Sequence, residues 1–361
     1  MHFKTRASFG LFDYLCGCRM KKRSAFWVAS HLLSVSQGLQ MTTQRHELFS
    51  ISGLAIGHAS DIERLTGVTV LRFDQGVTAG VDVRGAAPGT RETELLRPEN
   101  LVDSVHAIVL CGGSALGLES MNGVSRYLEE QGIGLPTGFV RIPVVTGAVL
   151  FDQSVGDASA RPSEQMGYEA TRLASRCDIG EGNVGAGTGA SIGKVAGFDR
   201  ATKSGIGCYA IRLRGGLVVG AVVAVNAWGD AVAGDKLIAG TRSEDGQQFV
   251  SGMDLLMNDQ AVQALPGANT TIGVVVTNGK LTKAQALKMA QMGHDGLSRA
   301  IRPSHSMYDG DTIFSAATGE VDADVNVLGI VGAEAVEQAI YRAVNTASAA
   351  GGLPSIHDIR A

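Results

Sequence analysis

From residue 48 onward the apolar positions fall into two kinds of run. Continuous or alternating apolar stretches predict strands at "GVTVLRF" (67–73), "VTAGVDV" (77–83), "AIVLCGG" (107–113), "GLVVGAVVAVN" (216–226), "IGVVVT" (272–277) and "TIFSAATGE" (312–320). The Asp74-Gln75-Gly76 tripeptide between the first two reads as a hairpin turn. "ATKSGIGCYAIRL" (201–213) supplies a partner strand for 216–226. Helical spacing marks "SALGLESMNGVSRYLEEQG" (114–132), a segment over 282–301 and another around 332–347, with Ser114 of the right type to cap the first. "VGAGTGASIGKVAGF" (184–198) is too rich in glycine for a helix and reads as a turn-filled crossing. Residues 229–263 are polar, irregular and partly helical.

Strand pairs interleaved with few long helices predict an α+β sheet sandwich flanked by helices, not a doubly wound parallel sheet. No fixed-period repeat or clean linker divides the chain, so residues 41–361 are expected to form a single catalytic domain. The segment from Met20, "MKKRSAFWVASHLLSVSQG", has a basic start and a short apolar stretch like a signal peptide, but His31 and several serines interrupt it. Residues 1–40 are therefore expected to be a disordered extension or an over-long start.

Composition narrows the function classes. A net charge of −4 with no dense basic block argues against nucleic acid as a partner. No run approaches the ~18–20 apolar residues of a membrane span. The 48 glycines among 361 residues sit within apolar runs, which predicts tight turns and close backbone approaches. Cysteines at 16, 18, 111, 177 and 208 are odd in number and match no disulfide framework or zinc site. They read as reduced thiols of a cytoplasmic protein, and no metal is expected.

The sharpest chemical feature is the Asn269-Thr270 junction, at the mouth of an apolar strand. A threonine hydroxyl can attack the carbonyl before it, turning the amide into an ester that water cleaves. The freed α-amine, with an ordinary pKa near 8, then serves as a base for its own hydroxyl. In "SHSMYDGDTIF" (304–314), Asp309 and Asp311 are two apart, so in extended backbone both carboxylates project to one side. Such a pair holds an ammonium, and mutual repulsion raises one pKa; Gly310 between them allows another segment to approach. His305 is a general-base candidate, with a satisfied structural histidine the simpler reading. Asn226 closes an apolar strand, where its amide can donate to a developing oxyanion. Lys194, amid glycines and small apolar residues, should sit beside carboxylates or shift its pKa downward. Neither "GAGTGASIGK", followed by Val195, nor "GEGNVG" (180–185) has the context of a nucleotide-binding loop, and no cofactor is expected.

In their order, "GVTVLRF…GVDVRGAAPGTRETELL…LCGGSALGL…GAGTGASIGKVAG…VVAVNAWGD…NTTIGVVVTN…MYDGDTIF", these segments resemble the self-processing D-aminopeptidase/esterases, β-peptidyl aminopeptidases and nylon-oligomer hydrolases over residues 48–347. The resemblance implies a four-layer αββα sandwich like that of N-terminal nucleophile hydrolases, cut into residues 1–269 and 270–361. It implies homotetramers acting on peptides, amino-acid amides or ω-amino-acid oligomers. It casts Thr270 as nucleophile, Asp309 and Asp311 as the acidic pair, Lys194 as the site lysine and Asn226 near the oxyanion. It adds Gly113 and Ser114 to the pocket. Phe151 stands where better-studied members carry a tyrosine hydroxyl. Acyl transfer of the ornithine acetyltransferase kind, or an uncut binding protein, are the alternatives.

Overall fold

The computed structural model describes residues 46–261 and 267–359. The extension expected over residues 1–40, and Pro266 of the turn before Asn269, lie outside the described residues.

Nine strands pair into one continuous ladder: β1 (Leu54–Asp61), β2 (Thr66–Val83), β3 (Gly89–Arg91), β4 (Val105–Cys111), β5 (Val145–Val149), β6 (Ile206–Arg212), β7 (Val218–Asn226), β8 (Thr270–Gly279) and β9 (Thr312–Val321). Four helices cover it: α1 (Ser120–Glu130), α2 (Glu164–Arg172), α3 (Lys283–Ala300) and α4 (Val325–Asn345). The strand order is β6-β7-β8-β9-β2-β4-β5-β3, with β1 on the remaining edge of β2. All neighbours are antiparallel except β8–β9 and β4–β5, which are parallel.

The hairpin expected at Asp74–Gly76 is not formed. Residues 66–83 make one long strand, because its two halves pair with different neighbours instead of with each other. Thr66–Phe73 pair with β1, Val68–Arg72 with β4, and Thr78–Val83 with β9. Between them the β4 register slips, at Arg72/Val77, and Gly76 takes φ 73°. A bulge of this kind bends a strand without reversing it, so β2 passes from one half of the ladder to the other.

That bend stacks the two halves, and three apolar clusters record the resulting layers. Leu71, Phe73, Ile108 and Leu110 from one half meet Val222, Ala224, Val274 and Phe314 from the other. The opposite face of the second half, through Val223, Val275 and Ile313, receives Met289, Leu297, Val336 and Ile340 of α3 and α4. Val70, Val109 and Val145 on the far side of the first half receive Met121, Val124 and Leu128 of α1. The arrangement is helix–sheet–sheet–helix, as the resemblance implied. β7 and β8 are buried on both faces, which explains their unbroken apolar runs.

Two helix starts differ from the expectation. Ser114 is the first residue of a 3₁₀ turn (Ser114–Glu119) at φ 53°, and no side chain caps that turn. Gly113, at φ 79°, has already turned the chain out of β4. The last helix begins at Val325, not near 332, because Asp324 accepts from the Asn326 N–H at 2.7 Å and starts it early.

α3 begins on a full capping box, in which the Thr282 side chain accepts from the Gln285 N–H and the Gln285 side chain from the Thr282 N–H. Thr282→Ala is expected to cost about 1 kcal/mol, read as a lower urea midpoint with an unchanged slope.

Candidate active site

The β7–β8 register sets Asn226 directly opposite Thr270. Along β7 the even-numbered residues face the inter-sheet core, and along β8 Ile272, Val274 and Val276 do the same. By the two-residue repeat of a strand, Asn226 and Thr270 point to that inner face. Both are buried, at one end of the sandwich.

The parallel β8–β9 pairing brings in the acidic pair. One residue before β8, Asn269 bridges Asp309, and the Gly310 N–H donates to the Asn269 carbonyl oxygen at 2.9 Å. The Thr270 hydroxyl donates to the same oxygen. Both contacts draw electron density from the carbonyl carbon, and the Gly310 N–H is already placed for negative charge on the oxygen. Position 310 requires glycine, since a Cβ there would lie 2.6 Å from the Ala87 carbonyl oxygen and 2.9 Å from Thr270 Oγ1.

The two aspartates grip different elements. Asp309 accepts from the Trp228 N–H at 3.3 Å and from the Ser306 N–H at 3.2 Å, and the Ser306 hydroxyl donates to it as well. Burial, with the Asp311 charge adding to it, pushes its carboxyl up to about 6 against those hydrogen bonds. Asp311 accepts the Thr271 N–H at 2.7 Å on one oxygen. Its other oxygen takes the His305 N–H at 2.9 Å and faces His305 Nδ1 at 2.8 Å.

Asn226 is oriented from both ends. Its Oδ1 accepts from Lys194 Nζ at 2.7 Å and from the Ser191 N–H at 3.1 Å, so the opposite atom must be the nitrogen. Nδ2 gives one N–H to the Phe151 carbonyl at 2.7 Å, which leaves the second. Lys194 Nζ also reaches the Asn226 carbonyl at 3.0 Å. Its burial lowers the ammonium to about 7, even though Asp309 and Asp152 favour the charge. Phe151 thus contributes a backbone carbonyl at the position where the resemblance implied a tyrosine hydroxyl. The Gly113 N–H donates to Asp152 at 2.8 Å and the Ser114 N–H to the Leu150 carbonyl at 3.0 Å, so both amides serve the fold.

Beside this set lies a buried pair that the sequence reading passed over. Lys203 Nζ donates to the carbonyls of Gly187 at 3.1 Å, Ala190 at 2.9 Å and Ser204, pinning the glycine-rich crossing that carries Ser191 and Lys194. Burial lowers Lys203 to about 7, with Asp152 opposing, and raises Asp152 to about 6. The criterion applied to Lys194, a lysine among small residues, applies equally to "ATKSG". Nothing local marks Asp152, Ser306 or the Asp311–His305 contact.

The layers match solved N-terminal nucleophile hydrolases. The L-aminopeptidase D-Ala-esterase/amidase of Ochrobactrum anthropi, a serine-aminopeptidase prototype described as a variant of the Ntn hydrolase fold, superposes with a TM-score of 0.64 at 19% identity, over 85% of this chain and 87% of that one. The fold is therefore of the Ntn-hydrolase type. Residues 47–355 match the model of Peptidase family S58, and the chain belongs to that family, which makes it a hydrolase of amide bonds. An uncharacterized aminopeptidase of Mycobacterium leprae is 37% identical over 348 residues, covering 87% of this chain and 94% of its own. The 6-aminohexanoate-oligomer endohydrolase of Paenarthrobacter ureafaciens is 33% identical over 278 residues, covering 76% and 75%.

Lys194 and Lys203 bind their protons more weakly folded than unfolded. From about pH 7 up to the ordinary lysine value of 10.5 the unfolded chain holds the extra protons, so stability rises with pH across that window. The urea midpoint is expected to be higher at pH 9 than at pH 7, and Lys203→Met to reduce the rise.

Proposed function

We propose that the chain cuts itself between Asn269 and Thr270 and that the new terminus hydrolyses small amides. The single observation carrying this is the doubly hydrogen-bonded Asn269 carbonyl, with the Thr270 hydroxyl on it. In the cut, Thr270 Oγ1 bonds to the Asn269 carbonyl carbon while the Gly310 N–H holds the oxyanion. The C–N bond then breaks, nitrogen takes the hydroxyl proton, and an ester remains. Water hydrolyses that ester to an Asn269 carboxylate and a Thr270 hydroxyl beside a free α-amine. Asp309, raised to about 6, is suited to carry the proton near neutral pH.

In the cut enzyme the Thr270 amine accepts the proton of its own Oγ1 as that oxygen attacks the substrate carbonyl. The second N–H of Asn226 faces the oxyanion, held there by Lys194 and Ser191 on Oδ1. One such donor is typically worth ~10²–10³ in rate. The amine of the leaving product departs, and water releases the acyl group from the threonyl ester. Asp309 and Asp311 position the Thr270 amine or bind a substrate ammonium. The aminopeptidase relative supports peptides or amino-acid amides with a free amino end, and the endohydrolase relative supports ω-amino-acid oligomers.

Self-association, cytoplasmic location and a single catalytic domain over 41–361 belong to the same reading. The exposed Phe139, Val140 and Ile142 offer an apolar edge for association. Among the described residues no helix is long and apolar enough to cross a membrane.

Intact mass spectrometry of purified wild type is expected to give two polypeptides, the smaller being residues 270–361 and beginning Thr-Thr-Ile. Thr270→Ala is expected to give one uncut chain without activity; cleavage of that variant at the same bond would exclude Thr270 as the attacker. Asp309→Asn is expected to lower kcat at least tenfold with an unchanged circular dichroism spectrum.

A further inference from the structure

His305 links Asp311 of the buried acidic pair to the surface. Asp311 is 2% exposed at its side chain, whereas the His305 side chain is 18% exposed. On its far side, His305 Nε2 faces Ser298 Oγ at 3.2 Å, and Ser298 is exposed on α3. Ser298 Oγ is also 3.0 Å from the His294 carbonyl oxygen, one helical turn back. The Ser304 hydroxyl reaches Ser298 Oγ at 3.5 Å.

These distances satisfy His305 in both of its protonation states. When neutral, Nδ1–H donates to Asp311 and Nε2 accepts the Ser298 hydroxyl. When protonated, Nδ1–H still donates to Asp311, Nε2–H donates to Ser298 Oγ, and the Ser298 hydroxyl turns to the His294 carbonyl. No polar atom loses its partner in the exchange, and only one hydroxyl rotates. A network that absorbs a proton without orphaning a group avoids the cost of an unmet donor or acceptor.

The other charged groups around the ring are compatible with this. The His294 ring packs edge-on against His305 at 4.7 Å. His294 Nε2 lies 2.9 Å from the Asp82 carbonyl oxygen and so carries its proton there, while its buried Nδ1 has no partner. Burial holds His294 down to about 4, which keeps it neutral. The Asp82 carboxylate lies 3.8 Å from His294 Nε2 and is itself paired with Arg84 at 2.7 Å. Among the described residues Asp311 is the only carboxylate in contact with His305.

We propose that His305 is a positioning residue of the site, holding Asp311 toward the Thr271 N–H and exchanging protons between the acidic pair and solvent through Ser298. The kinetic consequence rests on the function proposed above; the proton exchange does not.

His305 stands at φ 57°, a conformation that asparagine tolerates well, and an asparagine amide keeps a donor toward Asp311 without titrating. His305→Asn is expected to be cut normally and to keep KM, but to lose one step of the wild-type kcat–pH profile. A superimposable profile would overturn the proposal. Independently, the full-length Thr270→Ala chain labelled at histidine is followed by NMR against pH. Adding Ser298→Ala removes the hydroxyl that faces Nε2 and is expected to change the His305 ring-nitrogen shifts across the pH range. Ring-nitrogen shifts unaltered by that substitution would equally overturn it. Amide turnover by Thr270→Ala would instead sink the nucleophile assignment and leave the NMR result standing.

Discussion

The parallel pairing of Thr270–Gly279 with Thr312–Val321 is the constraint on which the site depends. It sets Asn269 beside Asp309 and lets a single backbone amide, that of Gly310, reach the Asn269 carbonyl. The antiparallel pairing on the other edge of the same strand sets Asn226 opposite Thr270. A one-residue slip in either ladder would turn a side chain of the candidate site toward the helices instead of the inter-sheet face. Register is protected by burial: β7 and β8 pack apolar residues on both faces, so a slip would disturb two cores at once.

Electrostatics in this region follow from the same burial. Charged side chains sit where water cannot reach them, and each is held by groups that the fold supplies. Lys203 is satisfied by carbonyls of the glycine-rich crossing, Lys194 by both oxygens of Asn226, and Asp309 by Trp228 and Ser306. The shifts toward neutrality of Lys194 and Asp309 have one origin, loss of solvent, acting in opposite directions on an acid and a base. Two groups that would ordinarily titrate far apart are thereby brought close to one another near neutral pH.

Much of this was legible along the chain, for identifiable reasons. Thr270 and Asn226 stand at the ends of unbroken apolar runs, a position that an ordinary turn residue also takes, and it was their order among the other segments that singled them out. Asp309 and Asp311 flank a glycine whose close approach the structure bears out. The misreading at Asp74-Gln75-Gly76 has the opposite origin. Its turn-like composition is real, yet it serves a bulge, because the partners of each half-strand lie elsewhere in the sequence. The early start of α4 came from Asp324, a capping residue outranked in the reading by the apolar spacing farther on. His305 was a candidate by residue type alone; its contact with Asp311, like that of Ser306 with Asp309, was not legible because it depends on a loop conformation with positive φ at His305. Lys203 was accessible to the argument made for Lys194.

The position of Thr270 as the first residue of a central strand bears on what the proposed cut would do to the molecule. Residues 270–361 carry β8, α3, β9 and α4, and the β8–β9 pair is inserted between β7 and β2 of the preceding part. Breaking the Asn269–Thr270 bond would remove one covalent link and leave the ladders on either side interlocked. The fragments would part only by global disruption, after which reassembly becomes a bimolecular encounter that dilution defeats. Persistence of such a nicked particle would then be governed by how slowly it opens, not by an equilibrium it can revisit.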